Sequence, residues 1–204
     1  MIPTITTALP LLGLTTVFAY LLGSVPFGIV MARIFGLGDL RKIGSGNIGA
    51  TNVLRTGNKL AAFLTLILDA GKGGVAVLIA RATFGEDAAQ LAGGAAFLGH
   101  CFPIFLGFKG GKGVATFLGT LLALNPLIGI AACGVWLLTA AVTRISSLSA
   151  LTAAVTSPTI AVVAGDPNAV LLCIILAGLI LWRHKANISR IRDGSEPKIG
   201  GSKK

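Results

Sequence analysis

The chain consists of long apolar runs separated by short polar intervals. Residues 1–32 carry no charged side chain, and neither do the 30 residues from Val114 to Thr143. Water-soluble folds do not leave stretches of this length uncharged, whereas a bilayer demands them because a charge in hydrocarbon costs several kcal/mol. The pattern therefore predicts an all-α integral membrane protein.

The apolar runs divide into seven predicted spans, since a helix crosses a bilayer with about 20 mostly apolar residues. Pro26 lies inside the first span and should kink it. Asn125 and Pro126 break the run 114–143 into pieces of 11 and 18 residues, and we predict that each piece crosses the membrane. The predicted spans cover residues 11–31, 60–80, 91–106, 114–124, 126–143, 147–164 and 169–182.

The distribution of charge predicts the orientation of these spans. Every Lys and Arg except Lys72 and Arg81 falls on one side of the predicted bilayer, and the acidic residues Glu86, Asp87 and Asp166 fall on the other. Basic residues mark the cytoplasmic side of membrane proteins. We therefore predict that the N-terminus is outside, the C-terminus is inside, and three short polar, mostly glycine-rich intervals face the cytoplasm.

Composition leaves no room for a separate soluble domain. Hydrophobic residues make up 54% of the 204 residues and charged residues only 12%. We predict a single polytopic transmembrane domain over residues 1–196 and a flexible basic tail over 197–204, and we expect the whole basic segment from Arg183 onward to be solvated or disordered. The net charge of +10 is interpreted as a sign of topology and not of nucleic-acid binding.

The first polar interval lies between spans one and two and alternates glycine with Ser, Asn and Thr. Such a loop offers backbone N–H groups and hydroxyls without bulk, and arginine adds a positive charge, a combination that suits a phosphate group. For Ser45, Asn47 and Arg55 we favour a functional role. For Arg41 and Lys42 two explanations are equally good. They could bind a phosphate, or they could lie in a flexible loop and serve only to mark the cytoplasmic side.

The second interval, residues 107–113, holds four glycines and two lysines just before a predicted helix. A helix N-terminus, free amides and ammonium groups together form a site for an anion. The interval does not match the Walker A pattern, because Leu106 and Gly113 stand where that pattern needs Gly and Ser or Thr. A nucleotide hydrolase is therefore disfavoured, and a tight turn is the plain alternative.

The third interval follows the last span. If the helix continues there, His184 and Asn187 share one face, and His184 is a candidate general base or orienting donor. His100 lies beside Cys101, but adjacent helical residues point about 100° apart, so a Cys–His pair is disfavoured. We interpret His100 as a structural residue.

Asp69 and Lys72 are the opposite charges inside a predicted span. Three residues apart on a helix, they can pair. A buried pair within a membrane is costly, which indicates a function. Alternatively, the pair is a structural salt bridge that holds a glycine-rich helical bundle together. The functional and the structural interpretation have equal support from the sequence.

The stretches 44–52, 108–113 and 183–187 together resemble the bacterial acyl-phosphate-dependent glycerol-3-phosphate acyltransferases, the PlsY family. The resemblance covers essentially the whole chain. It implies a seven-span protein of the bacterial inner membrane with its active site facing the cytoplasm. The implied reaction moves an acyl chain from acyl phosphate to the 1-hydroxyl of glycerol 3-phosphate, giving lysophosphatidic acid and phosphate.

Matched by position, the resemblance implies specific residue roles. Ser45 and Arg55 would serve the reaction and the binding of glycerol phosphate, His184 and Asn187 would form an active-site pair, and Glu196 would be a structural acid. The glycine–lysine loop would hold the acyl phosphate. The predicted substrate-binding residues are Asn47, Thr51, Asn52, Lys109, Gly110, Gly111, Lys112 and Gly113, and the residues predicted to be structural are Glu196 and, on the reasoning from helix spacing above, Asp69 and Lys72.

The implied chemistry fits the residues. Acyl phosphate is already activated, so the protein needs to position two anionic substrates and neutralise charge, and we expect neither a metal nor a cofactor. Either His184 or a substrate phosphate could act as the general base. The expected partners are the two substrates, the bilayer and a soluble enzyme that makes acyl phosphate. A small transporter for phosphorylated solutes is the alternative, although such proteins place their site near the membrane midplane.

Overall fold

The computed structural model describes residues 3–200, and within that range it contains helices and turns but no β-strand. Short 3₁₀ turns lie between the α-helices at Leu40–Lys42, Ile104–Leu106 and Pro167–Ala169. The α-helices, numbered in chain order, are α1 (Leu9–Gly23), α2 (Phe27–Ile34), α3 (Ala50–Leu54), α4 (Lys59–Phe84), α5 (Glu86–Cys101), α6 (Val114–Leu124), α7 (Pro126–Thr143), α8 (Ser146–Val163), α9 (Val170–Arg183) and α10 (Lys185–Arg192).

The helices bear out an all-α fold suited to a membrane. Within residues 3–200, five stretches are long and apolar enough to cross a bilayer, and a sixth results if the two parts of Pro167–Arg192, which meet at 64°, count as one. Helix α6 is apolar but shorter than these. The five stretches are Leu9–Ile34, Lys59–Phe84, Glu86–Leu106, Pro126–Thr143 and Ser146–Val163.

Two breaks in the apolar runs lie where proline predicts them. The first run is divided into α1 and α2, and Pro26 precedes the first residue of α2. Asn125 separates α6 from α7, where its side-chain oxygen accepts a hydrogen bond from the N–H of Leu127 at 3.0 Å. Pro126 occupies the first position of α7, where its missing N–H costs no hydrogen bond.

Glycine allows the central helices to approach closely. Helix α5 packs against α1, and α4 packs against both α5 and α6. A Cβ added at Gly99 would overlap the carbonyl oxygen of Tyr20 in α1, and one added at Gly119 would overlap that of Ala70 in α4. Small residues at such contacts permit van der Waals packing between backbones, which stabilises helix pairs in lipid.

A polar network joins the helix ends at the side opposite the three polar intervals. The carboxylate of Asp87 accepts hydrogen bonds from the N–H and the hydroxyl of Thr7. Arg81 donates to the carbonyl oxygens of Ala123 at 2.6 Å and Leu124 at 2.7 Å. These two carbonyls belong to the last turn of α6, where no helical donor is available.

The segment after α9 is ordered where disorder is predicted. Helix α10 spans Lys185–Arg192, and Glu196 is held by side chains from α8 and α10. The expectation of disorder is therefore wrong for residues 185–196, whereas exposed side chains such as Lys185 and Arg192 agree with the expected solvation. Farther along, the N–H of Ile199 donates to the carbonyl of Arg144 at 2.6 Å. Residues 201–204 of the predicted flexible tail lie outside the described range.

Candidate active site

A cavity of about 580 Å³ gathers polar side chains from all three polar intervals. Separate segments of the chain thus converge on one space, as the sequence predicts for a shared site. Further polar groups come from α4, α5 and the start of α8. The polar lining comprises Ser45, Asn47, Thr51, Asn52, Arg55, Lys59, Asp69, His100, Lys112, Ser146, Ser147, His184, Asn187 and Glu196.

Asn52 organises the first interval from within. Its side-chain N–H groups donate to the carbonyls of Leu40 at 2.9 Å and Ile43 at 3.0 Å. Its side-chain oxygen accepts from the N–H of Ser45 at 3.1 Å and from Arg55 Nη1 at 3.3 Å. Asn52 is only 1% exposed, and its donors anchor it to the backbone of the interval while its oxygen holds Ser45 and Arg55 at the cavity wall.

The start of α8 completes the wall beside the first interval. Thr51 Oγ1 and Ser146 Oγ lie 3.1 Å apart, and both residues line the cavity, as does Asn47. Ser146 and its neighbour Ser147 were not predicted as site residues. The available signal is a pair of serines that begins two residues after Arg144, at the short segment between two predicted spans that lies on the same side as the other polar intervals.

The glycine loop is bonded to the end of α5. The N–H of Gly110 donates to the carbonyl of Cys101 at 3.2 Å, and that of Gly111 donates to the carbonyl of His100 at 3.1 Å. A Cβ on Gly111 would overlap His100 Nε2, so this contact requires glycine. The expectation that the loop offers free amides is therefore wrong at these two positions.

Two residues of the loop, Lys112 and Gly113, line the cavity. Gly113 adopts a φ of 79° and precedes the first turn of α6, so this helix N-terminus and the Lys112 ammonium group are available to an anion. Lys109 is exposed, and neither it nor Gly110 nor Gly111 lines the cavity. Substrate binding by these three residues stays a prediction.

Lys112 connects the second interval to the third. Its Nζ donates to Asn187 Oδ1 at 2.5 Å. Burial lowers the pKa of Lys112 to about 8, although the nearby Glu196 carboxylate acts in the opposite direction. The ammonium group is therefore charged at neutral pH but lies close to its titration range.

His184 presents one defined tautomer. Its Nδ1 lies 2.8 Å from the carbonyl oxygen of Ile180, and because a carbonyl only accepts, Nδ1 carries the hydrogen and Nε2 has a free lone pair. Burial lowers the pKa of His184 to about 4. The imidazole is thus neutral at physiological pH and acts as a hydrogen-bond acceptor at the cavity wall.

Glu196 fixes the third interval. It accepts hydrogen bonds from Ser147 Oγ at 2.6 Å, Asn187 Nδ2 at 2.5 Å and Arg190 Nε at 2.7 Å. Burial alone would raise its pKa, but these donors outweigh that effect and hold the pKa of Glu196 below its ordinary value. Because Asn187 donates to Glu196 through its side-chain nitrogen, its side-chain oxygen is left to face Lys112.

A second charged cluster lies deeper in the bundle. Lys72 Nζ is 2.9 Å from Asp69 Oδ1 and also donates to the carbonyl of Val25 at 2.9 Å. His100 Nδ1 lies 3.5 Å from the same Asp69 oxygen. His100, interpreted as structural from the sequence, lines the cavity together with Asp69. The sequence alone could not identify Asp69 as the partner of His100, because α4 and α5 meet only through tertiary packing.

The remaining wall of the cavity is apolar. It is formed by the helices α4, α6 and α7, and two of its residues, Leu66 and Leu137, are 44% and 62% exposed at the surface of the bundle. A membrane around the bundle would therefore contact this wall. The apolar side chains include Phe63, Leu66, Leu118, Leu122, Trp136 and Leu137.

Known proteins share this sequence and fold. A family model described as glycerol-3-phosphate acyltransferase matches residues 13–194. Proteins of that name from Jannaschia sp. (strain CCS1) and Roseobacter denitrificans are 73% and 61% identical; the matches cover 98% of this chain in each case and 98% and 100% of those proteins.

Crystal structures of PlsY (YgiH), an integral membrane glycerol 3-phosphate acyltransferase, have the same fold. The glycerol 3-phosphate form is 43% identical with a TM-score of 0.87, and the lysophosphatidic acid form is 42% identical with a TM-score of 0.85. Each match covers 92% of this chain and 94% of the other. The chain belongs to the glycerol-3-phosphate acyltransferase family.

Proposed function

We propose that the protein transfers a fatty acyl group from acyl phosphate to the 1-hydroxyl of sn-glycerol 3-phosphate, giving lysophosphatidic acid and phosphate. The observation that carries this proposal is one cavity with a cationic polar end and an apolar wall facing the surrounding membrane. An acyl phosphate has an anionic head and a hydrocarbon tail, which match the two parts. Family membership supports acyl transfer as the reaction.

The polar end has separate groups for two phosphates. Lys112 and the N-terminus of α6 would bind the phosphate of the acyl donor and neutralise it as it leaves. Arg55 and Ser45, held by Asn52, would bind glycerol 3-phosphate. Binding both substrates in one cavity converts attack on the carbonyl into a positioned, effectively unimolecular step.

The reaction breaks the bond between the acyl carbon and the phosphate oxygen and forms an ester to the 1-hydroxyl. The hydroxyl proton needs an acceptor, and His184 Nε2 offers an unprotonated lone pair. A group with a pKa of about 4 is a weak base, because proton transfer is most effective when the pKa lies near the working pH. His184 therefore fits best as the group that orients the hydroxyl, with a phosphate oxygen as final proton acceptor.

The proposal includes seven membrane passes in a bacterial inner membrane, with α6 as a short span and the polar end of the cavity facing the cytoplasm. Support comes from the charge distribution, since the basic intervals gather at one end of the bundle and Arg81 with its acidic partner lies at the other. A soluble enzyme would deliver acyl phosphate from the cytoplasmic side.

A transporter for phosphorylated solutes, the alternative considered from the sequence, is not supported. The family and its solved members are acyltransferases. The cavity also places most of its polar side chains at one end of the bundle, whereas a transporter site lies near the membrane midplane between repeated halves.

Purified protein in detergent, incubated with palmitoyl phosphate and radiolabelled glycerol 3-phosphate, tests the proposal directly. Labelled lysophosphatidic acid and free phosphate should appear in equal amounts. A matched reaction with palmitoyl-coenzyme A as donor should give no product. Absence of labelled lipid with acyl phosphate, in protein that remains folded, would contradict the proposed reaction.

A further inference from the structure

Arg183 binds the outer side of the glycine loop. Its Nη2 donates to the carbonyl of Gly110 at 2.8 Å, and its Nε donates to the carbonyl of Gly111 at 3.1 Å. A guanidinium group carries its donors in a planar, rigid fork, so one side chain fixes the orientation of two consecutive peptide groups. On its opposite side, the peptide between Gly110 and Gly111 is also bonded to α5, because the N–H of Gly111 donates to the carbonyl of His100 at 3.1 Å.

The guanidinium group is itself held in place. Its central carbon lies 5.4 Å from the centre of the Phe102 ring and 5.9 Å from that of Trp182. The two rings are 5.8 Å apart. Attraction between a cation and aromatic faces restrains the side chain. Arg183 is therefore held by two aromatic rings as well as by the loop backbone.

Arg183 does not line the cavity, whereas Lys112, the next residue along the loop, does. The orientation of the peptide between Gly111 and Lys112 sets the direction in which the Lys112 side chain leaves the backbone. With that peptide bonded to Arg183, Lys112 reaches Asn187. An influence of Arg183 on substrate therefore passes through the loop.

We propose that Arg183 is a positioning residue for the acyl phosphate site: it orients the glycine loop so that Lys112 and the N-terminus of α6 meet the donor phosphate. The inference rests on the proposed function for the identity of the ligand. The fork geometry, and not only the positive charge, is required.

Arg183→Lys keeps the charge and removes the fork. We expect the KM for palmitoyl phosphate to rise by about 10-fold or more while kcat changes by less than about 3-fold, because the lost interaction serves binding. Arg183→Gln, which keeps a donor but no charge, should show the same split. Arg192→Lys, an exposed arginine on α10, is the matched control and should match the wild type.

Hydrogen–deuterium exchange provides a readout that does not depend on turnover. The amides of residues 110–113 should exchange faster in Arg183→Lys than in the wild type, and the rest of the chain should be unchanged. Methylguanidinium added to Arg183→Ala should lower its raised KM. An unchanged KM and unchanged loop exchange in Arg183→Lys would overturn the inference, as would loss of kcat alone. A wild type without acyl transfer but with faster loop exchange in the variant would instead disprove only the proposed function.

Discussion

Lys112 and Asn187 lie 75 positions apart in the sequence and are joined by a hydrogen bond of 2.5 Å between Nζ and Oδ1. Asn187 is oriented in turn by Glu196. A loop residue and two residues after the last span therefore form one connected unit at the polar end of the cavity. This unit is where substitutions should separate binding, chemistry and stability.

Removal of the Lys112 ammonium group should weaken binding of the acyl donor. In Lys112→Ala we expect the KM for palmitoyl phosphate to rise by about 10- to 100-fold, because a hydrogen bond to a charged group contributes roughly 1.5–3 kcal/mol. Steady-state kinetics in detergent measure this. Lys198→Ala, an exposed lysine after α10, is the control. An unchanged KM would indicate that the glycine loop, residues 107–113, is only a turn between helices and does not bind the donor.

The pH dependence of kcat/KM should follow the protonation of the Lys112 side chain. With a pKa of about 8, Lys112 is charged below pH 8 and neutral above it, so the rate constant should fall as pH rises through about 8. Lys112→Arg keeps its charge at all accessible pH values and should lack this alkaline decline. Because kcat/KM reports the free enzyme, the profile measures the pKa before substrate binds. An identical decline in Lys112→Arg would assign the titration to another group.

Loss of the His184 imidazole should stop turnover without unfolding the protein. We expect His184→Ala to reduce kcat by about 100-fold or more, the order of the loss when one positioned hydrogen-bonding group is removed from an active site. Thermal unfolding and detergent gel filtration should match the wild type, since one backbone contact to Ile180 is lost. Near-normal kcat would remove His184 from the mechanism while leaving the proposed reaction intact.

Glu196 should contribute mainly to stability. Glu196→Ala leaves Ser147, Asn187 and Arg190 without their acceptor, and we expect about 3 kcal/mol of destabilisation from the charged hydrogen bonds lost. The measurement is a fall in Tm in detergent. Asp193→Asn is the control, because Asp193 accepts hydrogen bonds from Ser195 alone among the described contacts. A Tm equal to that of the wild type would contradict the structural role.

The pair of Asp69 and Lys72 can be tested for function and structure separately. Asp69→Asn leaves the Lys72 charge uncompensated inside the bundle, and breaking a buried pair costs about 3–5 kcal/mol, so we expect poor folding. The double variant Asp69→Asn with Lys72→Met removes both charges and should fold again. Wild-type turnover in the double variant would indicate a structural bridge, whereas folded but inactive protein would indicate a function.

The sequence predicts local features well where one residue type decides them. Pro26 and Asn125 end helices because proline lacks a donor and asparagine caps the next helix, and both effects depend only on near neighbours. The convergence of the polar intervals also follows from counting passes through a membrane. None of these inferences depends on knowing which helices pack against each other.

Features that depend on helix packing could not be predicted. His100 meets Asp69 only because α5 lies against α4, and Ser147 meets Glu196 only because the chain folds back after α10. The bonded state of the Gly110 and Gly111 amides likewise follows from the position of the end of α5. The spacing of residues in the sequence shows which face of a helix they share, but it does not show which other helix packs against that face.

The apolar wall formed by α4, α6 and α7 has a consequence for the fate of the product. Under the proposed function, a lipid formed against Leu66 and Leu137 would remain in contact with hydrocarbon from synthesis to departure, so it would diffuse sideways into the leaflet and need not dissolve in water first. Turnover would then be insensitive to the very low aqueous solubility of long-chain products.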